Sequence, residues 1–178
     1  KGKLPGASLD LLERWVHIDR TVVRMFEARA PDRPLVDLHL DDASIAVGDV
    51  VRSASGDLLA VGTENGHIFV LDRHTGVKLW SFSTPLRPIR SLSFLPSETK
   101  LVSGHWDGKA RVWDLTTGQL ERVFKPTNVD TAPEDLKVTE VNALDNERVL
   151  LACGDGQIGI WNISTGEQLK DLTGDLEY

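Results

Sequence analysis

Three glycines constrain this chain more than any other feature. Gly66, Gly108 and Gly156 each close a short polar run, Thr63-Glu64-Asn65, His105-Trp106-Asp107 and Gly154-Asp155, and each is followed by a strand-like stretch and, nine residues on, by a Thr-Gly pair at 75/76, 117/118 and 165/166. The glycines stand 42 and then 48 residues apart, and the Thr-Gly pairs keep the same two intervals. A turn, strand and turn recurring at 40 to 50 residues demand repeated sheets that stack on one another, the spacing of propeller blades.

The stretches between the turns are His67–Asp72, Lys109–Asp114 and Gln157–Asn162. Within them Ile68 and Val70, Ala110 and Val112, and Ile158 and Ile160 alternate with other residues, so one side chain in two is directed to a neighbouring layer. Asn or Asp just before glycine is a hairpin signal, because glycine takes positive φ without steric cost. The chain is therefore expected to be all-β, with four-stranded antiparallel sheets.

The order of parts as well as the period resembles the WD40-repeat β-propeller family. Ser103–Gly118, SGHWDGKARVWDLTTG, carries the resemblance best: Ile89–Phe94 resembles an inner strand, Leu101–Gly104 the second, Val112-Trp113-Asp114 the third and Gln119–Phe124 the outer one. Segment three is similar through Ile160-Trp161-Asn162, whereas segment one has Leu71-Asp72 where Trp-Asp is expected. Gly66–Trp80, GHIFVLDRHTGVKLW, is also similar to the tryptophan-docking repeat of quinoprotein-type propellers.

The resemblance implies a structural set: a Trp on the third strand, a Ser or Thr on the second, an Asp in the turn between them and a His from the preceding loop. Ser103, Asp107 and Trp113 match three of these positions. The His is replaced by Thr84-Pro-Leu-Arg-Pro88; segment three offers Asp155 and Trp161, and segment one only Asn65. These residues are expected to be framework, since a buried polar group chiefly needs a partner.

The N-terminal part allows two readings. Residues 1–7 form a tail, and from Ser8 the positions Leu11, Trp15, Ile18, Val22 and Met25 make the stripe of an amphipathic helix over 8–30, stopped by Ala30-Pro-Asp-Arg-Pro34. The alternative is half of an earlier blade, favoured by the β-branched Val16, Ile18, Thr21, Val22 and Val23 but lacking a glycine turn. Blade one is then expected over 35–83, blade two over 84–124, a loop insertion over 125–137, and blade three with the C-terminal end over 138–178. Three blades leave a ring incomplete. Another chain, a second copy or a missing part of its own chain is expected to complete it.

Composition narrows the function. Twenty basic against 27 acidic residues give a net charge of −7, which disfavours nucleic acid and anionic lipid as partners. No apolar run approaches the roughly 20 residues of a membrane helix, and a single cysteine, Cys153, rules out an internal disulfide and suits a reducing, intracellular setting, cytoplasmic or nuclear. Cys153 has no His beside it in sequence and reads as a core thiol. No phosphate-binding loop, nucleophile elbow or metal-spaced histidine pair is present, so no catalytic residue, cofactor or metal is expected.

The resemblance thus implies a non-enzymatic scaffold for protein partners within a complex. Its narrow face would carry Thr63, Glu64, Arg87, His105 and Trp106, with Trp106 the sharpest candidate because the repeat does not require it. A purely structural assembly subunit and a fragment of a quinoprotein-like redox enzyme are the alternatives; the second is weakened because segments two and three lack Trp four residues after Thr-Gly.

Overall fold

A computed structural model describes residues 47–84, 87–126 and 137–173 in full, together with the backbone of the strands at Asp10–Leu11, Arg14–Asp19, Val22–Glu27 and Ala30–His39. These last are β1 to β4. The remaining strands are β5 (Val47–Arg52), β6 (Leu58–Thr63), β7 (His67–Asp72), β8 (Lys78–Ser83), β9 (Ile89–Phe94), β10 (Lys100–His105), β11 (Ala110–Asp114), β12 (Gln119–Phe124), β13 (Val138–Ala143), β14 (Arg148–Cys153), β15 (Ile158–Asn162) and β16 (Gln168–Asp171). They form four antiparallel four-stranded sheets in simple sequential order. Blade one is β5–β8, blade two β9–β12 and blade three β13–β16; β1–β4 make an earlier sheet. The described blades do not close into a ring.

The helix expected over 8–30 is not what forms. Residues 14–19 and 22–27 pair as β2 and β3, with Asp19 opposite Val22, so the half-blade alternative describes this region although the sequence has no glycine between the two strands. β-branched residues, whose stiff χ1 suits a pleated strand, outweigh a stripe with helical spacing. Ala30-Pro-Asp-Arg-Pro34 does not stop a helix either, because it opens β4, an edge strand with register shifts on both sides of Phe26, the kind of position in a sheet where proline is tolerated. As β4 pairs with β3, residues 35–39 complete the earlier sheet, and blade one starts at β5 rather than at 35.

The turns show why the repeat carries these residues. Asp72 Oδ1 accepts bonds from the backbone N–H groups of His74 and Thr75, Asp114 Oδ1 from those of Thr116 and Thr117, and Asn162 Oδ1 from those of Ser164 and Thr165. One side-chain oxygen thus folds the chain back toward the outer strand. Gly118, at φ 71°, completes its turn in the left-handed region. The outer strand of every blade then skips one residue in pairing with the third strand, at Leu79, Glu121 and Leu169. Such bulges strengthen the local twist.

Blades meet face to face. Ala60, Ile68 and Val70 of blade one pack on Ile89, Leu92, Leu101 and Trp113 of blade two; Val102, Ala110 and Val112 of blade two pack on Val138, Val141, Val149 and Leu151 of blade three. Close approach is possible because Gly62 and Gly104 occupy the same place in successive blades. A Cβ on Gly62 would stand 2.5 Å from Ile89 Cγ2, and one on Gly104 2.7 Å from Val138 Cγ1.

Polar groups lock the inner strands in the same pattern. Asp49 Oδ2 accepts a bond from Leu92 N at 2.7 Å, and Ser91 Oγ one from Val141 N at 3.1 Å. On the outside, Trp80 lies on Gly118 of the next blade, so closely that a Cβ there would be 2.2 Å from the ring.

Candidate protein-binding face

Blade two holds a polar chain inside its apolar walls. Trp113 Nε1–H donates to Ser103 Oγ at 2.8 Å, Ser103 Oγ lies 2.7 Å from His105 Nε2, and His105 Nδ1 lies 3.4 Å from the Arg87 carbonyl. One assignment of protons satisfies every step: His105 is neutral, donates from Nδ1 to the carbonyl, and accepts at Nε2 the proton of the Ser103 hydroxyl. Burial, reinforced by the nearby Arg111 charge and opposed by Asp107, pushes the imidazole pKa down to about 3, which keeps it neutral.

His105 therefore supplies the histidine that the resemblance places in the preceding loop. It comes from the second strand, two residues after Ser103, and the two-residue period of a strand puts both side chains on one face. The Ser-x-His spacing is the sequence signal for this contact, at a position other than the one the resemblance implies. Asp107 does not join this chain among the described bonds. It takes a bidentate pair from Arg111, Nη1 to Oδ1 at 3.1 Å and Nη2 to Oδ2 at 2.7 Å, with Arg87 Nε at 3.6 Å. Burial works against its ionisation, but the Arg111 bonds and charge hold the carboxyl below the usual range.

Two of the five residues expected on the narrow face are corrected by burial. His105 is 0% exposed and belongs to the framework just described. Thr63, its counterpart in blade one, is also 0% exposed; its hydroxyl donates to Asn65 Oδ1 and accepts from His67 N. Strand-end hydroxyl and imidazole groups turn inward here to satisfy a turn, leaving nothing for a partner. Glu64, Arg87 and Trp106 are exposed.

Arg87 and Trp106 are brought together, each from a different segment. Thr84 is tied to blade one, its N–H and hydroxyl both meeting the Gly66 carbonyl, and Arg87 N–H donates back to Thr84 O. Pro88 O accepts a bond from Trp106 N at 3.2 Å, which fixes the Trp106 backbone beside this loop. The indole remains 45% exposed, with Arg90 Cζ 5.4 Å and Lys137 Nζ 4.8 Å from the ring centroid. Arg90 is on the inner strand of blade two and Lys137 leads into that of blade three, so Trp106 spans a blade boundary. Neither cation was singled out from the sequence, since only the fold places them near Trp106.

Blade three repeats the outline without the polar chain. Leu151 and Cys153 stand where Ser103 and His105 stand in blade two, Asp155 Oδ1 caps its own turn by accepting from Gln157 N, and Trp161 stacks on Phe124. The Cys153 thiol is buried, and burial with the nearby Asp155 charge pushes its pKa up to about 12. It stays protonated in the core. Among the described residues no group of three or more His, Cys, Asp or Glu could hold a metal, and no helix is long and apolar enough to cross a membrane.

Comparison with known proteins fits this geometry. The family described as the Vps8 beta-propeller matches residues 37–155. The chain belongs to that β-propeller family. It is 31% identical over 127 residues to a periodic tryptophan protein 2 homolog of Schizosaccharomyces pombe, spanning 67% of this chain and 14% of that protein. It is 35% identical over 86 residues to a retinoblastoma-binding protein 5 homolog of Drosophila melanogaster, 48% of this chain and 17% of the relative. The chain thus spans under a fifth of the length of either relative. Among solved structures, BamB from Moraxella catarrhalis superposes with a TM-score of 0.71 at 19% identity, over 93% of this chain and 47% of that one; this likeness concerns the fold alone. The WD40-type reading of the repeats stands with these matches.

Proposed function

We propose that this chain is a non-enzymatic scaffold, working in the cytoplasm or nucleus, that holds a protein partner at the face around Trp106. The observation that carries the reading is the state of that indole. Its backbone is pinned to Pro88 and its ring is held against two cations, yet nearly half of it faces solvent and no polar chain of the blade includes it. A rigid, amphipathic aromatic beside exposed Arg87 has the character of an interface anchor. The name of the Drosophila relative, a retinoblastoma-binding protein homolog, supports a binding role.

Partner capture with Trp106→Ala, with a thermal melt as control, tests the proposal. Selective loss of partners at an unchanged melting temperature is expected. A lowered melting temperature with the partners retained would show that Trp106 serves only the blade boundary.

A second reading, completion of the propeller by a further blade, rests on a different observation. In blade two Val102, Ala110 and Val112 are fully buried by blade three, whereas the corresponding Leu150, Ile158 and Ile160 of blade three remain partly exposed. Glu140 of blade three pairs with β14 as Asp49 and Ser91 pair in their own blades, and those two accept a backbone N–H from the next inner strand. This face matches what a following blade, of the same protein, a second copy or another chain, would cover. Mass measurement in solution tests it. A compact monomer without any partner counts against it.

A further inference from the structure

We infer that the Trp106 face takes an acidic peptide, its carboxylates received by Arg90 and Lys137. The inference rests on the scaffold reading above and adds the chemistry of the partner. The chain as a whole carries an excess of acid, with a net charge of −7, and some of its other cations meet carboxylates: Lys100 Nζ lies 2.7 Å from Glu121 Oε1, and Arg148 Nη2 2.7 Å from Asp145 Oδ2. Arg90 and Lys137 have no carboxylate among the described residues. Each is placed instead over the Trp106 ring, at 5.4 and 4.8 Å from its centroid.

The acid beside Trp106 in sequence is already engaged. Asp107, the residue next to Trp106, has both oxygens engaged by Arg111 and is itself only 9% exposed, with Arg87 at its outer edge. Two cations held against one ring repel each other, and the ring face offsets only part of that repulsion. An incoming carboxylate removes it and gains charge-assisted bonds, bidentate where it meets the Arg90 guanidinium. The open part of the indole then offers apolar contact to an aliphatic side chain next to the acid. Arg87, with a side chain 56% exposed, widens the positive rim.

Because Arg90 and Lys137 come from two blades and the indole from the turn between β10 and β11 of blade two, the receiving geometry is assembled by folding and not by a run of basic residues. A single-stranded nucleic acid would also find cations and a stacking surface. The peptide is favoured because both cations already lie over the ring that a base would need, and because the overall field opposes a polyanion.

The test uses the chain with a labelled synthetic peptide of alternating glutamate and leucine, its glutamine-for-glutamate twin, and a single-stranded RNA oligonucleotide of equal charge, read by fluorescence anisotropy. The glutamate peptide is expected to bind about tenfold tighter than its twin, and to weaken as salt rises. Lys137→Glu and Arg90→Glu should each weaken it about tenfold or more, while Arg148→Glu, remote in sequence and already paired, should leave it unchanged. Lys137→Gln, gentler on the fold, should fall between. Equal affinity for the two peptides, indifference to charge reversal at an unchanged melting temperature, or tighter binding of RNA would each overturn the proposal. If Trp106→Ala loses its captured partners while the intact chain ignores the glutamate peptide, the scaffold face stands and the acidic partner falls. If the peptide behaves as expected but Trp106→Ala keeps its captured partners, the acid site stands and the wider scaffold reading falls.

Discussion

Phe82 of blade one lies flat on Trp113 of blade two, ring centroids 4.7 Å apart and planes 28° from parallel, and the pair joins two sheets that share no backbone ladder. Phe124 and Trp161 repeat the contact one blade later at 6.0 Å and 26°. The first pair is sealed, with Phe82 and Trp113 5% and 4% exposed; in the second, Trp161 is only partly buried.

Truncation should therefore cost more at the first boundary. Phe82→Ala is expected to destabilise the chain by about 3–4 kcal/mol, from lost burial, a cavity and a lost aromatic contact. Phe124→Ala should cost about 1 kcal/mol less, since part of what it covers is already wet. Urea denaturation midpoints of the two variants check the order, and equal losses would mean that the open side of blade three is as dry as the interior.

His105 should give stability a particular pH dependence. Its pKa falls from an ordinary 6.5 to about 3 in the fold, so between those values the unfolded chain binds a proton that the folded chain does not. The stabilising contribution is complete above pH 6.5 and is lost as pH falls from there toward 3. Replacing His105 with Gln breaks the polar chain and should cost about 1–3 kcal/mol at pH 8, but it removes this loss. The gap between the two proteins is expected to narrow from pH 7 to pH 5, a window in which most carboxylates stay ionised. A gap that stays constant would show that the buried imidazole has an ordinary pKa.

What could be read from the sequence and what could not divide along physical lines. Blades one to three were legible because each needs glycine at a positive-φ turn and Asp or Asn to cap the next one, and few residues can do either. β1 to β4 were not, because the sequence between these strands carries no glycine, Asp or Asn and the apolar spacing of Leu11, Trp15, Ile18, Val22 and Met25 fits a helix as well as a strand. Within the candidate face, Trp106 stood out as surplus to the repeat. Arg90 and Lys137 could not, since their meeting depends on how two blades pack, and Thr63 and His105 were misplaced because exposure at a strand end is decided by local hydrogen bonding.

Asp107 and Arg111 form a buried bidentate pair, each side chain 9% exposed. Losing one partner strands the other charge, so Arg111→Ala is expected to cost about 3 kcal/mol or more, while the double variant recovers part of it. The exposed pair Lys100 and Glu121 should show a coupling of under about 1 kcal/mol. Double-mutant cycles on both pairs measure the difference. Similar small couplings at both sites would mean that Asp107 is better hydrated than its burial implies.

Val112 and Ile160 occupy the same place in successive blades, and their exposure differs because blade three covers Val112, while Ile160 faces the open side. A charge at the first position must be buried against Val138 and its neighbours, whereas at the second it can stay hydrated. Val112→Asp is therefore expected to abolish cooperative thermal unfolding. Ile160→Asp should shift the melting temperature little, because only a partly exposed side chain is lost. The same variant separates two uses of that face. If a further blade docks there, Ile160→Asp should cut association, seen by light scattering or sedimentation, without unfolding the chain. Association that survives the charge would place the contact elsewhere, and a variant that unfolds as Val112→Asp does would show that Ile160 is already part of a closed interior.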